Sequence, residues 1–281
     1  MGFLSPKELT QQYAGAGAVK AKRSAAELFV LAILAGALIA LGSAATNTAS
    51  FGVADVGTAR MICGLLFPFG LCMVVVTGAE LFTGNCLITI SVLDKKASVA
   101  GMLRNWVIVY LGNLVGALLV SAGCAYFGQF DYGAGALAVY TIKIAVGKCG
   151  ISFGKAVVFG ILCNLLVSLG VLLAMSSKDA AGRLMGAFIP VSFFVISGFE
   201  HCVANMYYVT AGLLAMTRPE YAQLAMDTYG FNADYLPTLN IGSFMLKNLL
   251  PVTLGNIIGG SVLVGIPVFY LNKDNKSNKP A

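Results

Sequence analysis

The chain has 281 residues, 58% of them hydrophobic and only 11% charged, with a formal net charge of +6. A soluble domain carries about 25% charged residues, so these proportions specify a polytopic membrane protein, and the length leaves little room for a soluble domain beside it. The positive balance does not imply a nucleic-acid partner, because the basic residues sit mainly at the ends and in short loops, where membrane topology uses them.

The first 26 residues read as a cytoplasmic N-terminal segment. Ser5-Pro6-Lys7-Glu8 has a capping Ser, Pro at the first helical position and Glu three residues after Ser. This predicts a short amphipathic helix over 5–22 at the cytoplasmic surface, either as an anchor or as a gate at a pore mouth. The first apolar run begins near Glu27 behind this basic segment and is long enough to span, so it reads as an uncleaved first helix.

A spanning helix needs about 20 apolar residues. Six segments meet that length, near 27–48, 59–93, 103–127, 153–176, 184–216 and 247–271. Together they define a transmembrane domain over 27–271, followed by a cytoplasmic, disordered tail over 272–281. The second and fifth segments are too long for one plain helix. Each therefore reads as a helix, a break and a half-helix, with the broken backbone satisfied by protein or by a wet cavity.

Both breaks carry one motif. Gly78-Ala-Glu80-Leu81-Phe82-Thr83-Gly84-Asn85 recurs 120 residues later as Gly198-Phe-Glu200-His201-Cys202-Val203-Ala204-Asn205. Leu111-Gly112-Asn113-Leu-Val-Gly116 in the third segment likewise matches Leu254-Gly255-Asn256-Ile-Ile-Gly259 in the sixth. The chain is thus all-α, in two three-helix repeats. Three crossings per repeat is odd, so the repeats are inverted. The small residues of the two LGNxxG stretches suit close helix packing.

Lys7, Lys20, Lys22 and Arg23, then Lys95, Lys96 and Arg104, then Lys178 and Arg183, then Lys273, Lys276 and Lys279 fall on one side of this topology. The positive-inside rule places both termini in the cytoplasm of a multi-pass inner or plasma membrane protein. The seven cysteines are scattered through apolar runs with no metal-binding spacing and read as small buried hydrophobes. No metal cluster, catalytic constellation or cofactor motif is visible, which argues against an enzyme.

A carboxylate at mid-membrane costs about 2.5–3.5 kcal/mol on insertion scales, so it is rarely idle. Glu80 and Glu200 are either a proton or cation site or hydrogen-bond acceptors that fix the broken backbone. Their symmetric placement favours the second role. Asn85 and Asn205 read as ties within the same loops. His201 is the only histidine and breaks the symmetry, its counterpart being Leu81. Beside a mid-membrane break, it is a candidate for recognising a permeating anion. Its neutral ring donates one hydrogen bond and its charged ring two, and the charged ring can also pass a proton. Thr83 offers a hydroxyl at the other break. Lys148 lies in an apolar, Gly-flanked stretch between the third and fourth segments, and either reaches headgroups or points into a pore.

These motifs, GAELFTGN at 78–85, GFEHCVANM at 198–206 and the two LGNxxG stretches, resemble the formate/nitrite transporter family over essentially the whole chain. The resemblance implies a six-helix protomer similar in outline to aquaporins, with a pore through each subunit of a homopentamer. It implies a central pore histidine at His201, a loop threonine at Thr83, a buried lysine at Lys148, and apolar constrictions at Leu71, Leu81, Phe194, Phe67 and Val167. The expected cargo is a small monovalent weak-acid anion, hydrosulfide first because the chain looks most like that branch, with formate and nitrite beside it. Membrane lipid is the other expected partner. Two rivals remain: a proton-coupled formate or nitrite transporter, and an aquaporin-like neutral-solute channel, whose paired Asn-Pro-Ala motifs are absent.

Overall fold

A computed structural model of the protein describes residues 2–232 and 236–273. It is helical throughout, in chain order α1 (Pro6–Lys22), α2 (Ala25–Ser50), α3 (Val56–Thr77), α4 (Phe82–Leu93), α5 (Val99–Tyr126), α6 (Ala136–Cys149), α7 (Phe153–Ser176), α8 (Ala180–Ser197), α9 (Cys202–Ala215), α10 (Pro219–Tyr229) and α11 (Ile241–Asn272). The helices α2, α3, α5, α7, α8 and α11 are long and apolar enough to cross a membrane. They match the six expected segments, and α4 and α9 are the expected half-helices. The disordered tail expected over 272–281 starts too early, because Asn272 is the last residue of α11 and Lys273 its cap; residues 274–281 lie outside the described residues.

The N-terminal helix begins as its residues dictate. Ser5 accepts from the Glu8 backbone N–H, and Glu8 accepts from the Ser5 N–H at 2.8 Å, a complete capping box. Its buried residues, Thr10, Tyr13, Ala14, Gly17 and Ala21, fall at spacings of three and four on one face. That face is mostly small or polar and packs against α4, so α1 docks on protein and does not present an apolar stripe to lipid.

The breaks have identifiable causes. Gly78 and Gly198 end α3 and α8 in the left-handed region, at φ 66° and 74°, where a Cβ is strained. Within α3, Pro68 marks a joint between Val56–Leu66 and Pro68–Thr77.

Helix contacts repeat in the two halves. The helix α2 lies along α5, and α7 lies along α11 and α8. Lipid tails are as apolar as leucine, so close backbone approach between small residues must supply the attraction. A Cβ on Gly116 would run into the Ile33 carbonyl oxygen, and one on Gly259 into that of Ile161. The packing role expected of the LGNxxG stretches is therefore what their glycines do.

Two elements were not anticipated as helices. The stretch between the third and fourth segments holds α6, and the stretch before the sixth holds α10. The two halves then align helix by helix, with α1 to α5 matching α6, α7, α8, α9 and α11. Within α11, Phe244–Leu249 and Ile258–Gly265 are wound as π-helix, a local widening common at functional sites.

Candidate functional site

The site is built where the two breaks meet. Glu80 and Glu200 hold the broken strands of backbone from beneath. The Glu80 N–H donates to the Leu31 carbonyl at 3.2 Å, and the Glu200 N–H to the Phe159 carbonyl at 3.3 Å. Asn85 Nδ2 donates to Glu80 Oε2 at 2.7 Å and to Asn105 Oδ1 at 2.9 Å; Asn205 Nδ2 donates to Glu200 Oε2 and Asn248 Oδ1 at the same two distances. This geometry is that of a framework, with Oε2 of each carboxylate taken up by an asparagine, while Glu80 Oε1 has no hydrogen-bond partner among the described residues.

Each carboxylate also carries a lysine from the matching short helix. Lys20 Nζ on α1 lies 2.8 Å from Glu80 Oε2, and Lys148 Nζ in the last turn of α6 lies 2.8 Å from Glu200 Oε1. Lys148 has a role that neither reading included: its ammonium neutralises a buried acid at the edge of a cavity that it lines. Neither Lys20 nor the asparagines Asn105 and Asn248 stood out in the sequence. The signal was present, because Lys20 precedes α2 by five residues just as Lys148 precedes α7. Likewise Asn105 and Asn248 each stand eight residues before the asparagine of an LGNxxG stretch.

Those last asparagines do more than pack. Asn113 Oδ1 accepts from the Phe82 N–H at 3.0 Å, while its Nδ2 donates to the carbonyls of Ala32 and Glu80 at 2.8 and 2.9 Å. Asn256 repeats this with the Cys202 N–H and the carbonyls of Gly160 and Glu200, at 3.0, 2.8 and 3.0 Å. One side chain therefore satisfies two backbone groups that the break leaves orphaned at mid-membrane, an N–H and the Glu carbonyl, and ties them to a carbonyl inside the neighbouring helix.

Above this frame the halves differ. Thr83, in the first turn of α4, places Oγ1 3.0 Å from Nε2 of His201, the N-cap of α9. His201 Nδ1 accepts from the Ala204 N–H at 3.1 Å. An accepting Nδ1 carries no proton, so the neutral ring bears its proton on Nε2 and presents a donor to Thr83 or to a ligand in its place. A second proton would have to displace the Ala204 N–H. The geometry favours hydrogen-bond donation by His201 and disfavours the proton transfer expected of a charged ring. The N-termini of both half-helices converge on this pair and add positive potential.

The Phe194 ring stacks on His201 at 5.8 Å between centroids, and Phe67 meets Phe194 edge-on at 5.7 Å. Phe67, Phe194, His201, Glu200, Asn205 and Lys148 line a cavity of about 500 Å³ that opens on the face opposite α1. Leu71, Leu81, Val167 and Thr83 do not line it. They are buried, and Leu71 packs towards Gly170 of α7. The residues expected to form constrictions therefore divide into two rings, Phe67 and Phe194, that line the cavity, and three buried residues, Leu71, Leu81 and Val167, that do not.

On the opposite face α1 covers the other break. Tyr13 Oη donates to the Gly84 carbonyl at 3.0 Å, and Lys20 Nζ spans Glu80 and Asn85 Oδ1, the second at 3.1 Å. Lys148 makes no such span, and Asn205 Oδ1 is buried with no hydrogen-bond partner among the described residues.

Six apolar crossing helices, paired breaks meeting at mid-depth and a mouth leading to a polar pair define a multi-pass membrane transport protein. The chain matches the family model described as Formate/nitrite transporter over residues 7–270, and it belongs to that family. It is similar to the "Formate channel FocA" of Haemophilus influenzae, with 36% identity over 96% of this chain and 95% of that one. Among solved structures it resembles a "Pentameric formate channel with formate bound", at TM-score 0.77 and 35% identity, covering 89% of this chain and 98% of that chain. It also resembles an "FNT family ion channel", at TM-score 0.78 and 25% identity, covering 94% and 98%.

Proposed function

We propose that the protein is a channel for small monovalent weak-acid anions, with one pore in each subunit of a homopentamer and both termini in the cytoplasm. The observation that carries this reading is the Thr83–His201 pair at 3.0 Å beneath two aromatic rings. Desolvating an anion is costly unless fixed donors replace its water. Nε2–H of His201 and the Thr83 hydroxyl are two such donors, held together where the two breaks meet. The Phe67 and Phe194 rings, with Leu71, Leu81 and Val167 beyond them, exclude larger solutes and hydrated cations.

Formate stands first as cargo, because the relatives described above are named for it; nitrite and hydrosulfide share its charge and small size. The pentamer is supported by the likeness to a solved formate channel that is itself pentameric. The basic residues of α1 and of the loop before α5 support the orientation, with the cavity facing outward.

The test is flux into liposomes carrying the purified protein, for formate, nitrite, hydrosulfide, chloride and glycerol across pH 5–9. Passage of the weak-acid anions, altered in His201→Phe, supports the reading. Glycerol flux without anion flux assigns the chain to neutral solutes and leaves His201 a structural role. Uphill uptake driven by an imposed pH gradient would make it a proton-coupled transporter.

A further inference from the structure

Four cations line the outer cavity: Arg60, Lys143, Lys148 and Lys155. Three are already engaged. Lys148 pairs with Glu200. Lys143 Nζ lies 4.5 Å from the Tyr229 ring centroid, and Lys155 Nζ 5.2 Å from that of Phe159, both within cation–π range. Arg60 differs. Among the described residues no carboxylate lies within 4.0 Å of its guanidinium, and no side chain or carbonyl accepts a hydrogen bond from it.

Arg60, Cys63 and Phe67 follow one another at spacings of three and four along α3, and all three line the cavity. Two turns of helix, or about 10 Å, separate Arg60 from Phe67. The guanidinium lies against Gly198 at the second break, where a Cβ would stand 3.0 Å from Nη1. The lack of a side chain at 198 lets the planar group rest at the mouth.

Arg60 also has no counterpart in the other half. The residue 120 positions on is Ala180, and a Cβ on Gly78 meets nothing within 4 Å. The framework groups, Glu, Asn and Lys, all recur in both halves. Arg183, the basic residue nearest that position in α8, donates Nε to the Ser177 carbonyl at 3.2 Å, so among the described residues the unpartnered guanidinium stands at one mouth only and is placed for what enters there.

A guanidinium differs from an ammonium in the shape it recognises. Its parallel N–H groups match the two oxygens of a planar anion in a bidentate pair, whereas an ammonium acts as a point charge. We propose that Arg60 is a capture site for planar, two-oxygen monovalent anions, the carboxylate and nitrite type, and that it sets the outer mouth's preference for them over hydrosulfide and chloride. The proposal rests on the anion-channel reading and narrows its substrate class.

The test compares wild type, Arg60→Lys and Arg60→Gln. Initial rates of formate and hydrosulfide uptake are measured against concentration in liposomes. Binding of 13C-formate to the purified protein is measured separately by saturation-transfer NMR. Arg60 is exposed, so both variants are expected to fold and to elute as wild type does. Arg60→Lys keeps the charge and loses the fork. It should raise the formate half-saturation about tenfold, the scale of a charge-assisted bidentate contact, while leaving that of hydrosulfide unchanged. Arg60→Gln should raise both. An Arg60→Lys variant with wild-type formate kinetics, or one shifted equally for both anions, overturns the proposal. If wild type carries neither anion, the channel reading fails and the NMR decides the site. Formate binding lost in Arg60→Lys upholds the capture site, and unchanged or absent binding overturns it.

Discussion

Lys148 is the only cation within ion-pair distance of Glu200 among the described residues, at 2.8 Å, whereas Glu80 has both Lys20 at 2.8 Å and Arg23 at 3.7 Å. The framework is symmetric, yet its electrostatic backing is not. Lys148→Met leaves Glu200 without a cation and should destabilise the folded protein by roughly 1–3 kcal/mol, the cost of stranding a buried polar group. Lys20→Met should cost less, because Arg23 remains. Thermal unfolding in detergent compares the two. The double variant Lys148→Met/Glu200→Gln should recover part of the loss, since removing both charges leaves none stranded. Equal shifts for the two lysines would mean that Arg23 lends Glu80 nothing.

Asn113 and Asn256 should prove equivalent in stability and different in their hold on His201. Each bonds an N–H and the Glu carbonyl at its break, and a carbonyl inside the neighbouring helix, so replacement by Ala strands an N–H and a carbonyl in either half. Each stranded group costs about 1–3 kcal/mol when buried, and both variants should unfold well below wild type. Asn256 ties the Cys202 N–H, directly after His201, whereas Asn113 ties the Phe82 N–H, directly before Thr83. In the protein that survives, Asn256→Ala should therefore alter the His201 15N shift more than Asn113→Ala does. Identical shifts in both would show that the ring is positioned from elsewhere.

Much of this architecture was legible from residue order alone. Apolar length gave six crossings, and the paired Gly-x-Glu motifs gave the two breaks and their inversion. Glu80 and Glu200 were readable as framework because a device that holds a loop must recur wherever the loop recurs. What stayed hidden was pairing across distance. Lys20 and Lys148 sit 60 and 52 residues from their carboxylates, and nothing local marks a lysine in a short helix as a partner for a buried acid. The helices α6 and α10 escaped because each is too short to span, and apolar length was the signal in use. Arg60 carried no signal in the sequence, since only the fold turns it towards the mouth.

The glycines of α5 divide by what faces them. A Cβ at Gly116 meets the Ile33 carbonyl and the backbone of Gly36 and Ala37, while a Cβ at Gly123 meets nothing within 4 Å. Gly116→Ala must push α2 from α5 and should abolish stable expression or sharply lower the unfolding temperature. Gly123→Ala fills open space and removes the entropic penalty of a helical glycine, for a gain of about 0.5–1 kcal/mol. Expression level and thermal unfolding of both variants check the contrast. A harmful Gly123→Ala would place another subunit or a lipid at that surface.

Outside the membrane, Asp131 joins the turn after α5 to α10, accepting from Tyr221 Oη and from Arg218 Nη1 at 3.1 Å. The Tyr221 hydrogen bond first, and then the Arg218 charge, hold the Asp131 carboxyl below its ordinary value. A carboxyl depressed in the folded state contributes stability that is fully present above its unfolded pKa and is lost as pH falls through the lower, folded one. The latch should therefore hold α10 at neutral and mildly acid pH and release it only below the usual carboxylate range. Hydrogen exchange of the α10 amides, followed from pH 7 downward with exchange corrected for pH, should rise only in that acid window. Tyr221→Phe removes the leading cause and should move the onset of release to higher pH, towards that of an ordinary aspartate. An onset that stays put in Tyr221→Phe would assign the latch to Arg218, and Arg218→Gln would then shift it instead.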